Sequence, residues 1–280
     1  MNLFIDISNF IIPVLYVILF GFYFYDFMKA EKRVSDSKKF VHFKRFFFSL
    51  ILLYHIFYLL LRTVEFDHPP ITNVFEIFTV LAFCISFSYF ILELVTDIDG
   101  TGPFIIIISI VFQIISSTFI QDTYQVKEIL RSHLLGIHVF SALCGYSAIA
   151  ISAVYGFLYL LLFKDIKRNR FGLVFNRLPS LDVLERLSYI SAIIGFVLLS
   201  MAITIGIIWL PKAFPKFSYI DPKLIGTLLV WLLYGFGISN KIFGKWQGKK
   251  VIVLSILGFV IAIFSTIVSN FIARSFHSFY

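Results

Sequence analysis

Eight long apolar runs, separated by short polar segments, are the feature that most limits how this chain can fold. They cover residues 7–28, 46–62, 74–95, 103–120, 133–163, 188–210, 224–243 and 251–272. A helix needs about 20 mostly apolar residues to cross the hydrocarbon core of a bilayer. Most of these runs are close to that length; the second and fourth are shorter, and the fifth is longer. The pattern therefore predicts an all-α integral membrane protein, a bundle of about eight transmembrane helices.

The composition favours burial in lipid over a water-soluble fold. Hydrophobic residues make up 59% of the 280 residues and charged residues only 14%, whereas soluble domains are nearer half apolar and a quarter charged. Because much of any folded surface must meet water, a soluble fold of this size could not hide so much apolar surface. No repeat or low-complexity linker interrupts the pattern, so residues 1–280 are predicted to form a single polytopic membrane domain.

Lysine and arginine are distributed unevenly among the segments that connect the runs. Seventeen of the 24 lie in the segments after the first, third, fifth and seventh runs, and positive residues accumulate on the cytoplasmic side of membrane proteins. We therefore expect both chain ends to lie outside, an N-out/C-out arrangement in the bacterial cell membrane. The segments predicted to face the outer side are then 63–73, 121–132, 211–223 and 273–280.

The same distribution accounts for the net charge of +8 without an acidic partner. No basic helix or aromatic–basic motif accompanies it, so no nucleic-acid partner is predicted. Cys84 and Cys144 lie within apolar runs and lack a CxxC spacing. Their placement argues against a disulfide framework, a zinc site and a CxxCH heme attachment.

Histidines in or near the membrane are the residues best able to carry chemistry. His55 lies roughly 14 Å along the second run at 1.5 Å per residue, where an ionisable side chain is costly and usually faces a partner inside the bundle. It is either a neutral imidazole bonded to a neighbouring helix or an axial ligand to a metal such as heme iron. His133 and His138 begin the fifth run, about 140° apart around a helix, so only one should face a common site.

Two helix starts can be read from capping patterns. Asn73 to Glu76 forms a capping box that opens the third predicted helix. Asp221 and Pro222 suit the N-cap and first helical position of the seventh. Aromatic residues are frequent between Trp209 and Asp221, which is typical of a membrane–water interface.

Five short motifs occur in order along the chain. Residues 68–76 read HPPITNVFE, residues 132–149 read SHLLGIHVFSALCGYSAI, and residues 178–189 read LPSLDVLERLSY. DPKL at 221–224 precedes Trp231 and Tyr234, and FHSF occupies 276–279. Together, over about residues 46–280, they resemble the cytochrome c assembly protein family, which includes CcsA, CcmC, CcmF and HemX-like members.

The resemblance implies that the chain handles heme. In this family a tryptophan-rich outer segment forms a heme platform, and flanking histidines supply axial ligands to the iron. Carried over to this chain, His138 and His277 would be the outer pair, and His55 would be a membrane histidine. The cofactor would be heme b. The aromatic segment would add Trp209, Tyr219 and Asp221 to the cofactor-binding residues.

The chain departs from the family pattern at two places. Of W-G-x-x-W-x-W-D-P-K it keeps only Trp209 and the Asp-Pro-Lys at 221–223. Ser239 stands about where a second membrane histidine is expected. These differences resemble the HemX-like branch of the family.

Three functions follow as hypotheses. In the first, the chain presents heme at the extracytoplasmic face for cytochrome c biogenesis, with a second assembly subunit and apocytochrome c as partners. It would then be an assembly factor or part of a heme lyase complex rather than a stand-alone enzyme. The alternative is a HemX-like regulator of tetrapyrrole synthesis that acts through cytoplasmic residues 164–188. A small-solute transporter is disfavoured, because the chain has no repeated half.

Overall fold

The computed structural model describes residues 2–29, 34–122, 124, 126, 128, 132–213 and 220–267, without the side chains of 2, 34–38, 210, 212, 213, 266 and 267. Within these ranges the chain forms nine helices and no strand. In chain order they are α1 (Asn2–Met28), α2 (Val34–Phe66), α3 (Val74–Thr96), α4 (Gly102–Phe119), α5 (His133–Lys167), α6 (Leu173–Arg177), α7 (Leu181–Ala213), α8 (Pro222–Ile242) and α9 (Lys249–Ile267).

Seven of these helices are long and apolar enough to cross a membrane, namely α1 to α5, α7 and α8. The helix α9 begins at Lys249, at the eighth predicted run, and the end of that run lies outside the described residues. The prediction of an all-α integral membrane protein is therefore confirmed. The N-out/C-out orientation stays a prediction.

Several helices extend beyond the apolar runs that predict them. The run at 46–62 predicts only the later part of α2, which begins at Val34 and ends at Phe66. The helix α7 similarly exceeds its predicted 188–210 at both ends. A hydropathy pattern detects only the length of a helix that lies in hydrocarbon, whereas polar end turns continue the backbone hydrogen bonding beyond it. No apolar run predicts the five-residue α6.

The residues group into two compact units. The first contains Met1–Arg131 and Leu162–Pro179, and the second contains Ser132–Leu161 and Ser180–Tyr280. The first unit therefore holds α1 to α4, the end of α5, and α6. The second holds most of α5 together with α7 to α9. The single polytopic domain stays a prediction.

The first unit is built around aromatic side chains. In it α3 packs against α4, and α1 packs against both α2 and α4. Its largest fully buried apolar side chains include Tyr16, Phe48, Tyr58 and Tyr89. Burying rings of this size gives the unit a large contact area, and each hydroxyl then needs a partner inside the bundle.

The second unit is built around close helix contacts. Here α8 packs against α7 and α9, over a core that includes Ile149, Leu199, Val230 and Tyr234. A Cβ atom added at Gly226 of α8 would lie 1.5 Å from Ser265 Oγ of α9. Small residues let helix backbones approach in this way, which favours helix association in lipid.

Candidate functional site

His138 lies in the second turn of α5 and is held by α7. Its Nδ1 is 2.8 Å from the backbone carbonyl oxygen of Ala202. A carbonyl oxygen only accepts, so Nδ1 carries the hydrogen and donates it. In the neutral form of the ring, Nε2 is then the nitrogen with the lone pair. Metal-ligating histidines commonly use this arrangement, in which the other ring nitrogen donates to a carbonyl and orients the ring. In its neutral form His138 is therefore oriented so that Nε2 is the nitrogen that could bind a metal.

Small residues bring α5 and α7 close enough for this contact. A Cβ atom added at Gly195 of α7 would lie 3.1 Å from the carbonyl oxygen of Gly145 in α5. Ala202, which is 2% exposed, follows two turns later on the same face of α7. The half-buried Trp209 follows after two further turns, about 10 Å along the axis from Ala202. The face of α7 that meets His138 thus leads to Trp209.

His133 differs from His138 in its surroundings. It is the first residue of α5 and is exposed. His138, in contrast, is half-buried. The exposed ring of His133 makes it a matched comparison for His138.

The beginning of α8 is ordered by Asp221. Its carboxylate accepts a hydrogen bond from the Lys223 backbone N–H at 2.9 Å, and Pro222 follows it in the first turn, as the capping pattern predicts. Tyr146 of α5 contacts Thr227 Oγ1 at 2.8 Å. Because Thr227 donates to the Lys223 carbonyl, Tyr146 is the donor to Thr227. These bonds connect the first turn of α8 to α5.

The predicted site residues divide between the two units. His138, Trp209 and Asp221 belong to the second unit, and His55 belongs to the first. Tyr219 and His277 lie outside the described residues.

His55 is fully buried, and both of its ring nitrogens have partners. Nδ1 lies 3.0 Å from the Tyr16 hydroxyl, and Nε2 lies 3.0 Å from Thr79 Oγ1. Thr79 donates its one hydroxyl hydrogen to Gln113 Oε1 at 2.9 Å. Thr79 therefore accepts from His55 Nε2–H, and Tyr16 donates to Nδ1. His55 is a neutral imidazole that joins α1, α2 and α3.

The hydrogen-bonded chain from His55 continues through α4 and returns to α1. Gln113 donates to Ser117 Oγ at 3.1 Å, and Asn9 donates to the Ser117 carbonyl at 3.0 Å. In lipid, such polar contacts hold helices together. A bond from His55 to iron would need one ring nitrogen to leave its partner. The contacts correspond to the reading of His55 as an imidazole bonded to neighbouring helices.

The motif at 68–76 closes the connection between α2 and α3. Asn73 caps α3 by accepting from the Glu76 backbone N–H at 2.9 Å. In a reciprocal capping box the Glu76 carboxylate would return to Asn73, but it accepts from the Thr72 N–H at 2.8 Å and hydroxyl at 2.7 Å. It also accepts from Arg62 Nη2 at 3.1 Å. The spacing alone could not reveal this ion pair, because it depends on the turn between the partners.

A second buried carboxylate, Glu93, lies at the other end of α3. It accepts from the Tyr23 hydroxyl at 2.6 Å and from Arg45 Nε at 3.2 Å. Arg45 also pairs with Asp97 at 2.7 Å, in the connection between α3 and α4. That connection contains no lysine or arginine, so cations of α2 balance its charge.

Ser239 lies on a groove of about 430 Å³ between α7 and α8. Phe196, Trp231 and Gly235 also line this groove. Trp231 stacks on Phe196 with ring centroids 5.2 Å apart, and it donates from Nε1 to Ser200 Oγ at 2.7 Å. In the part of the chain that the structure describes, no three His, Cys, Asp or Glu side chains are grouped to hold a metal ion.

The motif at 178–189 places Glu185 beside the connection between α8 and α9. Its carboxylate accepts from Lys241 Nζ and, at 2.9 Å, from the Gly248 N–H. Lys241 also lies 4.6 Å from the centroid of the Tyr189 ring. The described contacts of this motif hold α7, α8 and the start of α9 together.

Known proteins match most of this chain. The family model described as Cytochrome C assembly protein matches residues 47–277. The chain belongs to the cytochrome c assembly protein family.

Relatives in the cytochrome c assembly protein family include several proteins named Cytochrome c biogenesis protein CcsA. The Guillardia theta protein is 27% identical over 237 residues, which cover 78% of this chain and 79% of the relative. The Mesostigma viride protein is 25% identical over 243 residues, covering 78% and 80%. The protein of Prochlorococcus marinus (strain NATL2A) is 27% identical over 274 residues, covering 88% and 86%.

Proposed function

We propose that this chain binds heme at the predicted outer end of its second unit and presents it for cytochrome c assembly. His138 would be one axial ligand to the iron, and His277 would be the other. Membership of the cytochrome c assembly protein family supports a role in cytochrome c biogenesis. The observation that carries the heme site is the bond from His138 Nδ1 to the Ala202 carbonyl, since metal-ligating histidines are commonly oriented by such a bond from the other ring nitrogen.

The remaining site residues have roles that differ from iron ligation. Trp209, with Tyr219, would cover a face of the porphyrin, because stacking requires an aromatic surface. Asp221 would set where α8 begins and so position the segment that precedes it. The proposal places no iron on His55, whose two ring nitrogens bond Tyr16 and Thr79. Heme b remains the proposed form of the heme.

The chain would act by positioning heme, as an assembly factor or part of a heme lyase complex. A second assembly subunit and apocytochrome c are the proposed partners, and the bacterial cell membrane is the proposed location. The relatives bear the name CcsA, which favours this function over the HemX-like regulatory alternative.

An absorption spectrum of the full, detergent-purified chain supplied with heme tests the proposal. We expect a Soret band in the wild type that is lost or shifted in His138→Ala and in His277→Ala. Adding imidazole to His138→Ala should restore the band, because a free imidazole can replace the missing ligand.

His133→Ala is the matched control, since His133 lies five residues before His138 in the same helix and is exposed. Its spectrum should equal that of the wild type. A wild-type chain that takes up no heme would refute the heme site. A His138→Ala spectrum identical to wild type would refute His138 as the ligand.

A further inference from the structure

A group of cations and aromatic rings extends from the last turn of α5 into α6 in the first unit. We call it the basic–aromatic patch, and its members are Lys164, Lys167, Arg168, Arg170, Phe171 and Phe175. All six side chains are exposed. Within the described part of the chain, none of the four cations takes part in an ion pair. Their charge is therefore available to a partner outside the chain.

The chain turns at the end of α5, so that the later residues of the patch leave the helix. Asn169 has a left-handed backbone conformation, with φ of 52°. The Arg170 N–H bonds the Asp165 carbonyl at 2.9 Å, and the Asn169 N–H bonds the Ile166 carbonyl at 3.1 Å. These two bonds form a Schellman motif, which satisfies the last carbonyls of the helix and turns the chain. The patch thus begins where the membrane-spanning α5 ends.

Arg177, two residues after the last member of the patch, bonds α1. Arg177 Nε donates to the Phe27 backbone carbonyl at 2.8 Å, and Phe27 is in the last turn of the membrane-spanning α1. A Cβ atom added at Gly100, in the α3–α4 connection, would lie 2.4 Å from the Arg177 carbonyl oxygen. Both ends of the patch therefore lie where spans end, so the residues between them lie at the membrane surface.

Two exposed rings accompany the cations. Phe171 is 59% exposed and Phe175 is 36% exposed, and they pack edge to face with centroids 4.9 Å apart. Orienting a helix in the membrane requires only positive charge. Exposed phenyl rings beside the charge are expected where a segment also meets the apolar edge of the bilayer. Exposed cations beside exposed phenyl rings are therefore better suited to a lipid surface than to contact with water alone.

We propose that the basic–aromatic patch binds the headgroups of anionic phospholipids in the leaflet on the predicted cytoplasmic side. Basic residues next to a membrane-spanning helix are attracted to such headgroups. Phe171 and Phe175 anchor the patch in the apolar edge of the same leaflet, while the four cations contact lipid phosphates. This role does not depend on the heme site.

The test uses the full chain with Phe171→Trp, reconstituted with brominated phosphatidylglycerol or brominated phosphatidylcholine. Bromine quenches a nearby indole, and the signal of the new tryptophan is the difference from the same chain with Phe171. We expect stronger quenching by phosphatidylglycerol. Adding Lys167→Gln, Arg168→Gln and Arg170→Gln should lower the phosphatidylglycerol preference by at least about tenfold, because each cation contributes to headgroup attraction.

The matched control removes the same charge elsewhere, through Lys245→Gln, Lys249→Gln and Lys250→Gln in the Phe171→Trp chain. It should keep the preference. A charge-conserving variant with Lys167→Arg and Arg168→Lys should also keep it, which separates lost attraction from lost folding. Equal quenching by the two lipids would overturn the proposal. Quenching by neither lipid would also overturn it and would leave the patch to a soluble protein partner.

Discussion

Arg62 and Glu76 form an ion pair in which neither side chain is open to solvent. Arg62 Nη2 lies 3.1 Å from Glu76 Oε1, and the side chains are 2% and 0% exposed. The guanidinium also lies 4.7 Å from the centroid of the Phe66 ring. Thr72 completes the coordination of the carboxylate with two further bonds. One buried anion thus joins the end of α2 to the beginning of α3.

Glu76→Gln should destabilise the chain strongly, because it leaves Arg62 as a buried charge without its main counter-ion. Removing one partner of a buried pair costs about 3–5 kcal/mol in soluble proteins. Thermal unfolding in detergent measures the loss. Asp122→Asn is the control, since Asp122 also contacts Arg62 but is 40% exposed, and its effect should be small. Equal losses from the two variants would contradict the assignment.

His55→Leu should lower the unfolding temperature without changing a heme spectrum. The variant leaves the Tyr16 hydroxyl and Thr79 Oγ1 without their shared partner, at about 1–3 kcal/mol for each unsatisfied buried group. Thermal unfolding and the Soret band of the heme-supplied chain are measured together. The exposed His133→Leu should change neither. A Soret change in His55→Leu alone would show that His55 bonds iron.

Gly226→Ala should weaken the packing of α8 against α9. The added methyl would lie 1.5 Å from Ser265 Oγ, and such overpacking costs about 1–3 kcal/mol. Adding Ser265→Gly should recover most of the loss, because the nearest remaining atom, the Cα of residue 265, is 3.7 Å away. Gly136→Ala in α5 is the matched control. It meets nothing within 4 Å and should be neutral or stabilise by up to about 1 kcal/mol. Unfolding temperatures in detergent compare the variants, and no recovery in the double variant would contradict the predicted clash.

Trp231→Phe should cost about 0.5–1.5 kcal/mol, the usual net value of one hydrogen bond. The phenyl ring keeps the stack on Phe196 but cannot donate to Ser200. A double-mutant cycle with Ser200→Ala isolates the pair. We expect the second substitution to cost little once the first is present. Fully additive losses in unfolding free energy would mean that the bond contributes nothing.

The positions of the helices were predictable because each span needs one continuous apolar run. Their full lengths were not, since α2 and α7 continue through polar turns that hydropathy does not detect. Both cap residues, Asn73 and Asp221, were predictable from local chemistry. The further bonds of Glu76 were not, because its partner Arg62 comes from another helix.

The candidate site was predictable only in part. Residue type and depth identified His55 as unusual, and the family resemblance identified His138. The partner of a ring nitrogen often belongs to a helix that is distant in sequence. Ala202, whose carbonyl bonds His138, lies 64 positions after it. These contacts show how the bonding of His55 differs from that of His138. His138 is oriented by the bond from Nδ1 to the Ala202 carbonyl, whereas the described bonds of His55 engage both of its ring nitrogens.

The acidic connection between α3 and α4 has a consequence for how the chain is made. It holds Asp97 and Asp99 but no basic residue, and acidic residues contribute little to the orientation of a nascent helix. This hairpin therefore enters the bilayer without a directional signal of its own. Arg45 and Lys44, which reach Asp97 and Asp99 at 2.7 and 3.9 Å, emerge from the ribosome earlier. The order of synthesis thus puts the guiding cations in place before the hairpin arrives.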